Sequence, residues 1–381
     1  MTGAARRFPG RAAGERPAAP ESTVNPPGGP HRPAEMATRS SRTLLAFTTG
    51  CALAALVVLP PAIAGAQTSG VSSGDSLDAL LRAAEAHHSR GALADALAAL
   101  ALAESVARQP QPVPARLARV WTARADVWIS QTTATNAGYA EADSAAARAL
   151  EFAERADEPV LLADAADVAG RVLYSRRINL AEGDYERPLS HFKRALELRR
   201  TAGDTRGVVE SMFRVGLIHE RKDESARAIA IYQGAMRLAG ADYPLERANL
   251  ARHLAYQHQG RGDLDRALAL FTQSLELREQ AGFALTRPSA LTSIGDLYRR
   301  KQDYPKALDY GRRALAEAER LRASRFVVGA LISIGQTHAA AGEREPALQH
   351  LGRAESLADE IGYVSGVRRA REESAAVARR D

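Results

Sequence analysis

ALTSIGDLYRRKQDYPKALDYGRRAL at residues 290–315 and ALISIGQTHAAAGEREPALQHLGRA at residues 330–354 are one pattern written twice, 40 residues apart. Gly295 and Gly335 anchor it. Toward the N-terminus a small residue returns at Ala255, Gly216, Gly170, Ala125 and Ala84, with spacings in chain order of 41, 45, 46, 39, 40 and 40. Three residues after the anchors stand His87, Trp128, Leu173, His219, His258, Tyr298 and His338, aromatic or histidine everywhere but Leu173. A second small position follows at Ala96, Ala142, Pro188, Ala228, Ala267, Ala307 and Ala347. Seven residues on comes a third, at Ala103, Ala149, Ala195, Ala235, Ser274, Ala314 and Ala354. A period near 40 with this internal order means stacked units, none of which buries its apolar face alone.

Each unit reads as two helices. In the sixth, PSALTSIGDLYRRK repeats its apolar residues at helical spacing, and KALDYGRRALAEAERL forms a second helix. Asp303 is placed to cap that second helix, and Pro305 sits in its first turn, where no amide hydrogen is needed. Gly203, Gly282 and Gly362 fall in register at second-helix ends, where a left-handed residue favours glycine. The three small positions resemble those of the tetratricopeptide repeat, over residues 77–362. The likeness is best in LAYQHQGRGDLDRALALFTQSLEL and in the two stretches quoted first. This resemblance implies an all-α fold, a right-handed α-solenoid of about seven helix-turn-helix repeats, with a charged capping helix at 363–381. The period is about 40 rather than the family's 34, as in its longer-helix members. HEAT and armadillo repeats share the length class without the paired small positions.

The second and third units are longer than the rest. Their excess is expected between the helices, near TTATN at 132–136 and SRRINL at 175–180, as insertions on one edge of the solenoid. Such insertions build a binding surface in some solenoids, and in others they are loop growth that costs little stability.

The leading 66 residues differ from the repeats. Residues 1–35 are rich in Pro, Gly, Ala and Arg without apolar periodicity, which predicts a disordered or untranslated leader, with Met36 as the start. Residues 36–66 carry Arg39 and Arg42, then the uncharged run Leu44 to Leu59, then small residues at Ala64 and Ala66. That order predicts a secretory signal peptide cleaved near Gln67 and an exported protein, periplasmic or extracellular. Kept in place, the 44–59 run would instead anchor the chain by one N-terminal transmembrane helix and bring it into contact with a membrane. Residues 67–76 are expected as a linker. The formal charge of +6 belongs largely to the leader. Removing residues 1–66 takes away seven Arg and three acidic residues, leaving 44 basic and 42 acidic side chains, a balance that argues against a nucleic-acid partner.

No catalytic constellation is present. H-E-x-x-H and the P-loop pattern do not occur, G-x-S-x-G occurs once, at residues 70–74 ahead of the repeats and without a preceding strand pattern, and the single cysteine, Cys51, rules out a disulfide framework. No cofactor and no metal are expected. The recurring histidines occupy one repeat position each, and equivalent positions in stacked layers stand about 8–10 Å apart or a multiple of that, too far to share an ion. Packing and hydrogen bonding are their expected roles. The family resemblance places the ligand-facing surface on the first helices. Carried over, it selects Arg214, Leu217 and Glu220; Asn249, Arg252, Tyr256 and Gln259; Ser289, Thr292, Asp296, Arg299 and Arg300; and Gln336. This polar lining suits an extended peptide or an acidic protein segment. The family's Lys and Asn carboxylate clamp is not reproduced. The function expected is a non-enzymatic interaction scaffold for a protein or peptide partner, with a regulatory sensor module or a non-catalytic subunit of an enzyme complex as the alternatives.

Overall fold

The repeat pattern becomes fifteen helices among the residues that the computed structural model describes, 73–379. The expected leader and the expected signal peptide with its cleavage site lie outside them. Seven antiparallel pairs follow in order. They are α1 (Ser73–Ser89) with α2 (Leu93–Ala107), α3 (Pro114–Thr135) with α4 (Tyr139–Ala156), and α5 (Pro159–Leu180) with α6 (Glu186–Thr201). Then come α7 (Thr205–Arg221) with α8 (Ser225–Ala239), and α9 (Pro244–Gly260) with α10 (Leu264–Gln280). The last pairs are α11 (Arg287–Arg300) with α12 (Tyr304–Arg320), and α13 (Ser324–Ala340) with α14 (Arg344–Glu360). A single helix, α15 (Val364–Ala378), packs on α14 and α13. Helix α1 is described from Ser73 onward, inside the stretch expected as linker, and carries Asp75 in its first turn, where a negative charge suits the helix dipole.

Every small position of the repeat is buried in every unit. The reason is close approach of the paired helices. A methyl group placed on Gly216 would stand 2.4 Å from the Tyr232 ring, one on Gly170 2.6 Å from Phe192, and one on Gly295 3.2 Å from the Ala307 carbonyl oxygen. Second-helix side chains therefore fill the volume that a side chain on the first helix would need.

The turn between paired helices also repeats. Seven residues after the anchor the chain takes a left-handed conformation, at Gly91, Asp223, Gly262, Gln302 and Gly342. Asp263 and Asp303 then cap α10 and α12, accepting the amides of Arg266 and Lys306 at 3.2 Å. His219 and His258 bond through Nδ1 to the acidic residue that opens the next helix, Glu224 at 2.8 Å and Asp263 at 3.0 Å, and His338 does the same with Glu343. These histidines tie the turn. Among the described residues no group of three His, Cys, Asp or Glu could hold a metal.

In the second and third units the excess residues do not form loops. They extend the first helix, so that α3 and α5 run 22 residues each and the left-handed residue moves to Asn136 and Ala181. TTAT and SRRINL contain no helix breaker, and adding a hydrogen-bonded turn to an existing helix is easier than nucleating a loop of its own.

These extra turns reach across the array. Asn136 Nδ2 donates to the carbonyls of Ile361 and Gly362, both at 3.2 Å. Arg325, at the start of α13, donates to Thr132 O at 3.3 Å and to Asn179 Oδ1 at 2.9 Å, and its guanidinium lies over Tyr363. Nearby, the Ala284 amide donates to Ser89 O at 2.8 Å. Leu285 and Ala323 from the later repeats share an apolar cluster with Ala84, Leu93, Leu100, Val127 and Ala134 from the first two. The array closes on itself: repeats one to three touch repeats five to seven.

Candidate functional site

Closure turns the inner face of the solenoid into a cavity of about 1010 Å³. Its walls come mainly from the first helices α1, α3, α5, α7 and α9, with Leu100 of α2, Phe192 of α6, the 283–286 segment and Arg325. The extra turns contribute Thr133, Ile178 and Asn179. A cavity bounded mainly by first helices follows from the small positions, which turn one face of each first helix toward its own second helix and leave the opposite face bare.

Of the residues selected from the sequence, Arg214, Leu217, Asn249, Arg252 and Tyr256 line this cavity. Glu220 lies just behind, accepting from Tyr232 OH at 2.8 Å and from His253 Nδ1 at 2.9 Å. Gln259, Ser289, Thr292, Asp296, Arg299, Arg300 and Gln336 are not part of the lining. Several of them are occupied in holding helices together. Asp296 accepts from Ser333 Oγ at 2.7 Å and pairs with Arg299 at 3.7 Å, Gln336 donates to Glu373 at 2.6 Å, and Arg300 donates to Gln259 O at 3.3 Å. Thr292 turns its hydroxyl back onto Pro288 O. Sequence reasoning passed over the contributions of α1, α3 and α5, among them His88, Asp126, Ser130, Asp164, Arg171 and Tyr174. The anchor register reaches those helices as well, but the groove positions carried over from the family resemblance begin only in the fourth repeat.

Two charged clusters define the walls. The first lies on α3, α5, α6 and α7. Arg171 bonds Asp126 and stands 3.7 Å from Asp167. Arg199 bonds Asp164 at 2.7 Å and Ser211 Oγ at 2.9 Å and lies 3.4 Å from Glu210, while Arg214 lies 3.6 Å from Asp167. Four carboxylates thus face three guanidiniums. Burial and the Asp167 charge push the Glu210 carboxyl above its ordinary pKa, against the pull of Arg199, Arg214 and Arg171. Burial and Arg171 push Arg214 below its own.

The second cluster lies on α7, α9 and α10, beside a chain of ring contacts through Phe213, His253, Tyr256 and Phe271. His253 is almost fully buried, and burial drives its pKa down to about 4, so the ring is neutral. Its Nδ1–H donates to Glu220, and its Nε2 accepts from Arg252 NH2 at 3.3 Å. Burial also raises Glu220, but the bonds from His253 and Tyr232 outweigh it and leave the carboxyl below its ordinary value. Arg278 is 1% exposed, with bonds to Ala248 O, Ser274, Thr286 Oγ1 and Asn249 Oδ1. Burial and the neighbouring Arg252 charge lower its pKa to about 9.

Comparison with known proteins bears on this architecture. Residues 246–320 and 286–360 match the tetratricopeptide repeat family model. No curated protein matches the sequence. Among solved structures, a Rap protein complexed with competence and sporulation factor superposes with a TM-score of 0.59 at 16% identity, over 78% of this chain and 80% of that one. BtubC from P. vanneervenii gives 0.48 at 18% identity, over 59% of this chain and 93% of its own. The signal-transduction ATPase with a tetratricopeptide repeat sensor from Pyrococcus horikoshii gives 0.47 at 16% identity, over 76% of this chain and 44% of its own. Residues 73–379 therefore fold as an α-solenoid of tetratricopeptide type, and the last three repeats carry that family's sequence.

Proposed function

We propose that the chain is an interaction scaffold that holds a short peptide or protein segment in the cavity enclosed by its array, and that it acts after export. The observation that carries the first part is closure. A cavity of about 1010 Å³ with a mixed polar and apolar lining, at the upper end of the roughly 300–1,000 Å³ usual for small-ligand sites, suits a short chain segment better than a domain surface. Its lining mixes aromatic rings with guanidinium and amide donors, groups that recognise peptide side chains and backbone. The comparisons support the reading at the level of fold, since the Rap structure is by its description a complex with a factor.

The test is selection of binding sequences from a displayed library of short random peptides, with Thr122→Trp placing bulk on the α3 wall. The reading expects binding that Thr122→Trp abolishes and that Arg313→Trp, on the exposed outer face of α12, leaves intact. Binding lost in Arg313→Trp and kept in Thr122→Trp would place the partner on the convex side.

Export rests on the order of basic, apolar and small residues after Met36. The native N-terminus, read by mass spectrometry, is expected near Gln67. Recovery of chains that retain Leu44–Leu59 in the membrane fraction would favour the anchor.

A further inference from the structure

The strap between α10 and α11 is made by giving up a turn of helix. At the same register positions of the next repeat, residues 324–326 open α13, yet residues 284–286 stay outside α11, which runs 14 residues against 17. Pro288 supplies the reason. Without an amide hydrogen it cannot bond the Ala284 carbonyl, which accepts instead from Arg287 N at 3.1 Å. The segment ahead of the helix turns across the seam between the two ends of the array. Ala284 donates to Ser89 O at 2.8 Å, and Leu285 is buried in one cluster with Ala84, Leu93 and Leu100. The Phe283 ring meets the His88 ring of α1 edge-on at 75°, with centroids 6.1 Å apart.

His88 is thus a titratable side chain set at the seam. Its Nε2 is bonded to Ser130 Oγ of α3 at 2.7 Å, so the ring joins the first repeat to the second while its side faces the strap. Burial draws His88 below its ordinary pKa. Asp126 on α3 and Glu85 on its own helix pull upward, Arg171 on α5, itself bonded to Asp126, pulls downward, and the strap brings no charge. The ring is therefore uncharged at neutral pH. His88 and Phe283 both line the cavity, which gives protons a path to the ring. We propose that His88 and the 283–286 strap form a pH-operated clasp, in which the uncharged ring lets Phe283 and Leu285 close the seam, and protonation opens the seam and widens the way into the cavity. An imidazolium held against an aromatic and aliphatic cover loses hydration that opening restores. Once open, His88 returns toward its ordinary value near 6.5, so closure is complete above that pH and is lost progressively below it. The clasp depends on closure of the array and not on what the cavity holds.

Hydrogen–deuterium exchange of the full-length protein reads the Ala284 amide directly, at neutral pH and at about pH 5, after correction for the intrinsic pH dependence of exchange. Amides in the middle of α13 serve as the reference, because unfolding of the array moves them together with Ala284 whereas opening of the seam moves Ala284 alone. Relative to that reference, protection of Ala284 should fall severalfold at about pH 5, up to a ceiling of about thirtyfold set by an open-state pKa near 6.5. His88→Gln keeps a neutral partner for Ser130, and His88→Phe keeps a ring against Phe283. In both, the relative protection of Ala284 should be the same at the two pH values, and His87→Gln should respond like the parent. A parent ratio that does not change with pH, a fall that persists in a folded His88 variant, or a response abolished by His87→Gln overturns the clasp. An Ala284 amide unprotected at both pH values overturns the clasp and closure together.

Discussion

Gly216 and Gly352 are both helical glycines in this chain, and their neighbourhoods give them opposite expectations. Gly216 is pressed against Tyr232, whereas nothing lies within 4 Å of a methyl group placed on Gly352. Gly216→Leu should cost about 1–3 kcal/mol, because the Tyr232 ring is fully buried and bonded to Glu220 and so cannot swing aside. Gly352→Ala should stabilise by about 0.5–1 kcal/mol through lower chain entropy. Chemical denaturation of the two variants checks the sign of each. His253 makes a second residue-scale case. Its folded pKa of about 4 lies below the ordinary 6.5, so the unfolded chain takes up the proton first as pH falls. Its contribution is complete above pH 6.5 and disappears between 6.5 and 4, with a slope approaching about 1.4 kcal/mol per pH unit. His253→Gln should flatten the stability profile in that window, and an unchanged slope would mean that the ring is not the group titrating.

At the scale of the helix, the small positions made seven pairs legible before any coordinates, because close packing allows no substitute for a small residue. Two features were not legible in the same way. The excess in the second and third units could be located from spacing, but TTATN and SRRINL do not reveal whether an insertion loops out or lengthens a helix. That depends on what the extra turn meets, and Asn136 and Asn179 meet the C-terminal repeats. The cavity lining was half legible. Repeat register found Arg214, Asn249, Arg252 and Tyr256, yet it also selected Asp296 and Gln336, which the later repeats spend on bonds to their neighbours. Which inner positions remain open is decided by where the array closes, and local pattern carries no record of that. The last helix yields its own prediction. Helix α15 covers Leu351, Ala354 and Ala358 with Ala370 and Val377, while its other face carries the exposed Arg368 and Glu372. Truncation after Gly362 should lower the melting temperature and promote aggregation. An unchanged, monomeric transition would show α15 to be dispensable.

Across the whole array, the central claim is that seven repeats do not remain an open spiral. Their ends meet through the Ala284–Ser89 backbone bond, the Asn136 and Arg325 bonds, and the apolar cluster around Leu285. Arg325→Ala with Asn136→Ala removes the side-chain hydrogen bonds of this closure, and scattering measurements are expected to show a larger radius of gyration with secondary structure unchanged. The most direct test measures the gap itself. A methyl group on Gly91 would touch Leu321 at 2.7 Å, and the residues beside them, Arg90 and Arg322, are exposed. With Cys51, the sole cysteine, replaced by Ser, Arg90→Cys and Arg322→Cys would carry two spin labels on repeats one and six of the full chain. Pulsed electron resonance should return a short, narrow distance set mainly by the arms of the labels. A long or broad distribution, with the labels separated by the five intervening steps of an open solenoid, would contradict closure and with it the enclosed cavity.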